Sequence, residues 1–469
     1  MDPADAYVRL YDALNLTAGS DLDDWDQEPG VDEIALRVCA EILDDPDGQL
    51  RDKWVESGLA PRPELLGVLL GLDLVMEAVH PNTDFLDGRS LDYLRTRLEM
   101  FGRLNSDETY GALLFRHRHG AGRPFHVPQK LDDLLSLIRI PASSNIHVDV
   151  LREADDLPDP GLHPEDDPSV MTSPRIELAQ LPFLAEANDL IWEARSLRKR
   201  NYYTVQPDSS RMKAHISAAL AALDDSGASL AFLPEASLDD DILTAWRDAL
   251  RTRPDPTAGP TWLMVGTGPV LAHGTRSSRD RRPNRAVLLN RRGDPLLIQD
   301  KQRGFTLTPK QQNDYGLRIG EPPPVMRGEY HVQATGLSLI ESRYGRFGIH
   351  ICEDVGWHEM RGAVIAAGVT HLLVPVLAAP IADQGWQEQA AMDLVKEAGT
   401  DVAVSNGLAI ARTTYEHEPA TTLLLIKVPP DHTDDRYLSR DEMVSGHRSP
   451  LDAGAEARAD ALAPRRTTW

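Results

Sequence analysis

From Asn201 onward the chain alternates short apolar runs with helical stretches, and this alternation narrows its fold more than any other feature. YYTVQP, SLAFLPE, TWLMVGTG, RAVLLN, LSLIES, RFGIHICE, THLLVPV and DVAVSN are rich in valine, isoleucine and leucine. SRMKAHISAALAAL, DDDILTAWRDALR, MRGAVIAAGV and QEQAAMDLVKEAG follow several of them with helical spacing. Apolar runs of this length between turn signals are strands covered on their faces. The pattern predicts an α/β layered fold over residues 201–430.

Ahead of it, residues 1–150 read as a helical domain. VDEIALRVCAEIL, PELLGVLLGLDLVMEAV and SLDYLRTRLEMFGRL place apolar residues three and four apart. Cys39 falls on the apolar side of the first, which makes it a buried structural thiol. EADDLPDPGLHPEDDPS is dense in proline and acid and marks a linker. PRIELAQLPFLAEANDLIWEARSLRKR adds one more expected helix, so residues 151–200 are linker and helix. Residues 431–469 have no period and read as a loose tail.

Charge and cysteine count exclude several functions. The 469 residues carry a formal charge of −24, and an acidic surface repels phosphate backbones, so nucleic acid is an unfavoured partner. Two distant cysteines, Cys39 and Cys352, supply neither a disulfide framework nor a zinc quartet. The acidic start MDPADAYVRLYDALNL is unlike a signal peptide, and no segment reaches the ~20 apolar residues of a membrane helix. The expectation is a cytoplasmic protein with free thiols.

Three strand ends carry groups with chemistry. RFGIHICED delivers Cys352 at the end of an apolar strand, where an α/β fold presents a nucleophile to a cleft. SLAFLPEAS ends in Glu235, a carboxylate able to take a thiol proton. PLLIQDKQRG ends in Lys301, whose ammonium would stabilise an oxyanion and lower a neighbouring thiol's pKa. Each alone is commonplace: a core thiol, a loop carboxylate, an exposed lysine. Three together, in the order Glu, Lys, Cys, are not.

That order and its local contexts resemble the nitrilase superfamily of carbon–nitrogen hydrolases, from about Tyr202 to Ile426. TVQP, ending at Gln206, is similar to the family's first strand, and FLPE to the strand that presents the base. NRAVLLNRRGDPLLIQDK is similar to the hairpin ending in the catalytic lysine, and RYGRFGIHICEDVGW to the nucleophile strand and elbow. CED followed by Trp357 is closer to glutaminase and amidase branches than to nitrilases. GVTHLLVPV, Trp386 and VAVSN with Asn406 resemble the elements after the nucleophile. The resemblance implies a four-layer αββα sandwich, here preceded by the mainly helical domain read above, and an amide substrate hydrolysed through a thioester. It implies Cys352 as nucleophile, Glu235 as base, and Lys301 with the Glu353 N–H for the oxyanion. No metal or organic cofactor is implied, and a homo-oligomer is, extended in some relatives into spirals.

The chain also departs from the family. Many members place a second glutamate eight to ten residues after the lysine, and QRGFTLTPKQQNDYG has none. Gln311, Gln312 or Asp314 would stand in, while Glu321 and Glu329 lie later. An alternative is a nitrilase-fold assembly or sensor protein, as in some bacterial antiphage effectors. A third is a glutaminase unit serving a separate synthetase, since the chain has no SGGxDS loop of its own. VGTGPV lacks the third glycine of a dinucleotide fingerprint. His117 and His119 of RHRHG have alternate spacing but read as a solvated loop, and HEMR lacks a zincin's second histidine.

Overall fold

A computed structural model describes residues 1–15, 17, 19–45, 50, 62–79, 91–117, 131–151, 176–255, 257–271, 281–315, 325–342, 344–378, 381, 385–411, 420–427, 439–449 and 459–468. The linker stretch, His119 and Glu321 fall outside these residues. Among the described residues the fold is mixed α/β.

The chain opens with α1 (Pro3–Leu14), α2 (Gly19–Asp26), α3 (Pro29–Leu43), α4 (Pro63–Val79) and α5 (Asp92–Phe101). The Asp2 carboxylate caps α1, accepting from the Ala4 N–H at 3.0 Å, and Pro3 needs no partner in the first turn. Leu65, Leu66, Val68, Leu69, Leu72, Val75 and Met76 of α4 are all buried, so α4 is the centre of this bundle. The stretch read as helical is not helical throughout. β1 (Ala112–Phe115) and β2 (Leu137–Ile140) pair antiparallel, with α6 (Leu131–Leu134) before β2. β3 (Ile146–Val150) follows, its sequence IHVDV alternating apolar and polar as a strand should.

The segment expected as a helix after the linker is two strands instead, β4 (Glu177–Gln180) and β5 (Leu190–Leu197). Pro182 removes a helical donor between them, and along LIWEARSL only Leu190 is fully buried. Then come β6 (Arg200–Pro207), α7 (Ser209–Met212), α8 (Ile216–Asp224), β7 (Leu230–Phe232), α9 (Asp240–Thr252), β8 (Trp262–Gly268), β9 (Arg285–Asn290) and β10 (Pro295–Asp300). Next are β11 (Thr306–Leu307), α10 (Pro309–Asp314), β12 (Arg327–Glu329), β13 (Leu337–Ser342), β14 (Gly345–Ile349), α11 (His358–Ala366) and β15 (His371–Val376). The chain continues through α12 (Trp386–Ala398), β16 (Asp401–Asn406), β17 (Ala420–Ile426), β18 (Val444–Ser449) and β19 (Arg465–Thr468). The expected loose tail thus contributes two paired strands, β18 on β17 and β19 on β4.

Three larger sheets result. One has the order β10-β9-β8-β7-β4-β19, a second β18-β17-β16-β15-β14-β13-β3, and a third, four-stranded, β11-β12-β6-β5. Period-two alternation splits the first sheet's side chains. Leu230, Phe232, Trp262 and Met264 join one core with Leu339, Phe347, Leu372 and Val404 of the second sheet, so these two sheets face each other. Trp262 meets Phe347 edge-on, with ring centroids 5.0 Å apart. Ala231, Leu233, Leu263 and Val265 point the other way, onto Ile216, Leu220 and Leu223 of α8 and Ile242, Trp246 and Leu250 of α9. Leu394 and Val395 of α12 and Val364 of α11 pack with the second sheet.

Two placements differ from the sequence reading. TVQP is not the first strand of the facing sheets: β6 pairs with β5 and β12 in the outer sheet, and β4 lies parallel to β7 in that position. The buried amide of Gln180 ends β4 and donates to Ser405 Oγ and the Asn406 carbonyl, both at 3.1 Å. Moreover β3, before the expected boundary, runs parallel to β13 and completes the second sheet.

Candidate active site

Glu235 stands three residues beyond β7, in a turn whose next residue, Ala236, has φ +62°. The Glu235 N–H reaches the Val376 carbonyl at 3.3 Å, tying this turn to the end of β15. β8 passes close underneath. Gly266 there has φ +84°, and a Cβ on it would stand 2.6 Å from the Pro234 carbonyl oxygen. Clearance for the Glu235 turn is therefore what the glycines of VGTG provide.

Lys301 follows β10. Its N–H donates to the Asn284 carbonyl at 2.8 Å, extending the β9–β10 ladder by one pair. Cys352 opens a 3₁₀ turn, Cys352–Gly356, just after β14, and has φ +53°. A non-glycine residue in that region costs of order 1–3 kcal/mol and is held by its surroundings. Asp354 supplies part of that hold, its carboxylate accepting from the Gln302 and Arg303 N–H groups at 3.0 and 2.9 Å. The elbow and the lysine loop are thereby joined.

The three groups meet. Lys301 Nζ lies 2.8 Å from Glu235 Oε1, and the Cys352 thiol lines the same small cavity as both. Leu377 donates its N–H to Glu235 Oε2 at 3.1 Å. Lys301 is 1% and Cys352 4% exposed. A cavity of about 20 Å³, room for a water or so, touches Glu235, Lys301, Glu329 and Cys352 under Trp192, Tyr203, Phe305 and Leu377. Most of that cover comes from the outer four-stranded sheet and the Lys301 loop.

The second carboxylate of the cluster is Glu329, at the end of β12. Its Oε2 accepts from Lys301 Nζ at 2.7 Å and from the Phe305 N–H at 3.2 Å. Gln311 and Gln312 do not take this place. Thr308 and Gln311 form a capping box that turns the Gln311 amide back onto the start of α10. The buried Gln312 amide donates to the Val325 carbonyl at 2.7 Å, and Asp314 pairs with Lys310 at 2.6 Å. All three stabilise α10 and its surroundings. Gln206 lies away from the thiol, on a polar cleft of about 510 Å³ that also touches Asn284, Glu329 and His331. The Asn406 amide pins the loop after β15, donating to the Ala378 carbonyl at 2.6 Å. Trp386 packs beside Gly356 of the elbow turn.

Asn284 also belongs to the cluster and was not singled out in the sequence. Its Nδ2 donates to Glu235 Oε1 at 3.0 Å and to Glu329 Oε1 at 2.9 Å. The available signal was its position just before the strand that pairs with the lysine strand.

Burial and charge set the protonation states. Burial disfavours the Lys301 cation, but Glu235 and Glu329 outweigh it and push the ammonium well above its ordinary value. Burial likewise opposes the Glu329 carboxylate, and Lys301, then His331, hold it at about 2. Burial raises the Cys352 thiol, and the Glu235 carboxylate raises it further against Lys301. Cys352 therefore rests as a neutral thiol. His117, read as a solvated loop residue, pairs instead with Glu341 at the bundle edge. Among the described residues no cluster of histidine, cysteine and acid suits a metal ion, and no helix is long and apolar enough to cross a membrane.

No protein-family model matches the chain, and neither does any curated protein. Solved structures of the nitrilase superfamily do match, over half to 61% of its length and at low identity. Nit3 of Saccharomyces cerevisiae, a member of branch 10 of that superfamily, is 14% identical over 61% of this chain and 92% of its own, with a TM-score of 0.37. An amidase from Nesterenkonia sp. is 17% identical over 50% of this chain and 76% of its own, with a TM-score of 0.31.

Proposed function

We propose that the chain is a cysteine amidohydrolase that cleaves a non-peptide carbon–nitrogen bond, built on a four-layer αββα sandwich. The observation that carries this reading is that a strand-end thiol shares one small buried cavity with the Glu235 carboxylate, itself bridged by a buried ammonium to Glu329. Glu235 takes the Cys352 proton as sulfur attacks the amide carbon. Lys301 and the Glu353 N–H stabilise the oxyanion, and Glu329 fixes Lys301 between two carboxylates. The C–N bond then breaks, with the nitrogen taking its proton from Glu235. A water that gives its proton to Glu235 attacks the thioester, and the C–S bond breaks to return the thiol.

Intact-mass spectrometry during incubation with a panel of amides tests this. An acyl adduct on Cys352, absent in Cys352→Ala, supports it. No adduct and no ammonia from any amide would overturn it.

A second reading, a nitrilase-fold assembly protein, draws on the enclosure of Cys352 and the integration of the N-terminal bundle. Under either reading we propose a homo-oligomer, and light scattering that finds only monomer at micromolar concentration refutes that part.

A further inference from the structure

We propose that Asn284 is a positioning residue that locks Glu235 and Glu329 on either side of Lys301, an inference that rests on the hydrolase reading. The four side chains form a closed ring. Lys301 Nζ spans Glu235 Oε1 and Glu329 Oε2 at 2.8 and 2.7 Å, and Asn284 Nδ2 spans Glu235 Oε1 and Glu329 Oε1 at 3.0 and 2.9 Å. Two carboxylates against one ammonium leave an excess negative charge in a buried place, where like charges repel strongly. The ring therefore needs a further donor, and an amide NH₂ offers two hydrogens from one atom with no charge of its own. A second ammonium at this point would cancel the charge that makes Glu235 a base.

The backbone fixes Asn284 for this task. Its carbonyl accepts the Lys301 N–H at 2.8 Å, so the two residues face each other across the strand pair and move together. The carboxylates also fix the amide's orientation, because the flipped form would aim Oδ1 at both of them. Asn284 touches neither the thiol nor the cavity beside it, so it acts through Glu235 and Glu329.

The test reads Cys352 alkylation by iodoacetamide in the full chain carrying Cys39→Ala, from pH 5 to 9, in Asn284→Ala and Asn284→Asp. Losing a donor to the charged form of a carboxyl raises its pKa. Asn284→Ala should thus move the acid limb of the rate profile up by about one unit and lower the plateau roughly tenfold. Asn284→Asp keeps the shape but replaces the donor with a third carboxylate, and should fall at least as far. An Asp variant as fast as the parent, with the parent's profile, overturns the proposal, since packing alone would then suffice. An Ala variant with an unmoved limb does the same, and decides alone if the Asp variant does not fold. Glu235→Gln serves as the control: an unchanged alkylation profile there sinks the base assignment itself, a failure distinct from that of Asn284.

Discussion

Arg346 donates from Nη2 to the Phe115 carbonyl at 2.7 Å, a contact between residues 231 positions apart. Phe115 ends the first strand of the N-terminal part, and Arg346 lies on β14, the strand that delivers Cys352. The same guanidinium donates from Nε to Glu341 at 2.6 Å and from Nη1 to the Ala367 carbonyl, and Glu341 accepts His117 on its other side. The Arg346 contacts are buried and the His117 contact half-buried, and with β3 they fasten the bundle to the second sheet.

Arg346→Met should therefore destabilise the whole chain by about 3–5 kcal/mol, because Glu341 is left buried without its cation. Adding Glu341→Gln should recover part of that loss. Urea unfolding of the two single variants and the double variant measures both.

A truncation beginning near residue 174 removes β3 and bares the β13 edge. An unpaired edge invites strand pairing between copies. The expected product self-associates or fails to fold, as size-exclusion chromatography with light scattering would report. A stable, monodisperse truncation would show that the bundle is a detachable module.

Glu329→Gln keeps the shape of the side chain but loses its charge beside Lys301. A displaced ammonium should lower kcat/KM on any accepted amide by roughly 10²-fold. Gln311→Ala, at the start of α10, should leave kcat/KM unchanged. Equal losses in both would return the second-carboxylate role to the α10 segment.

Stability should respond to pH with opposite signs at two carboxyls. Burial would raise Glu341, but Arg346 and then His117 outweigh it and hold the carboxyl at about 2. A lowered folded pKa means stability present above the ordinary carboxylate value and lost as pH falls through about 2. The advantage of the parent over Glu341→Gln, about 3 kcal/mol near neutrality, should close across that range. Burial raises Asp354 to about 7 despite its two backbone donors. Its contribution is complete below about 4 and lost as pH rises through 7. Asp354→Asn should then gain on the parent with rising pH. Denaturant midpoints from pH 2 to 9 check both signs.

The strand-end residues were legible because each closes a local apolar run, and a run of five or six residues announces both the strand and its end. Glu329 was only one of several alternatives. β12 has three residues, and its place beside Lys301 depends on pairing with β6 more than a hundred positions earlier, which leaves no local trace. Leu178, Ala179 and Leu181 around Gln180 suit a helix as well as a strand, and only the neighbouring β7 and β19 decide for the strand. The alternation of Ile146, Val148 and Val150 marks a strand that the helical reading of residues 1–150 passes over. What it could not reveal was the partner, β13, nearly two hundred positions further on.

The pairing of β19 with β4 sets an order of events during synthesis. Thr468 lies opposite Glu177 and donates from Oγ1 to its carboxylate at 3.0 Å, so this edge of the first sheet stays open while almost three hundred residues are made. β4 is also the strand whose Gln180 links to Asn406, beside the loop that carries Leu377 to Glu235. On the ribosome the Glu235 turn can therefore form well before its support is closed. Until residues 465–468 emerge, the nascent chain carries an unpaired strand edge one strand away from β7, which leads into the Glu235 turn.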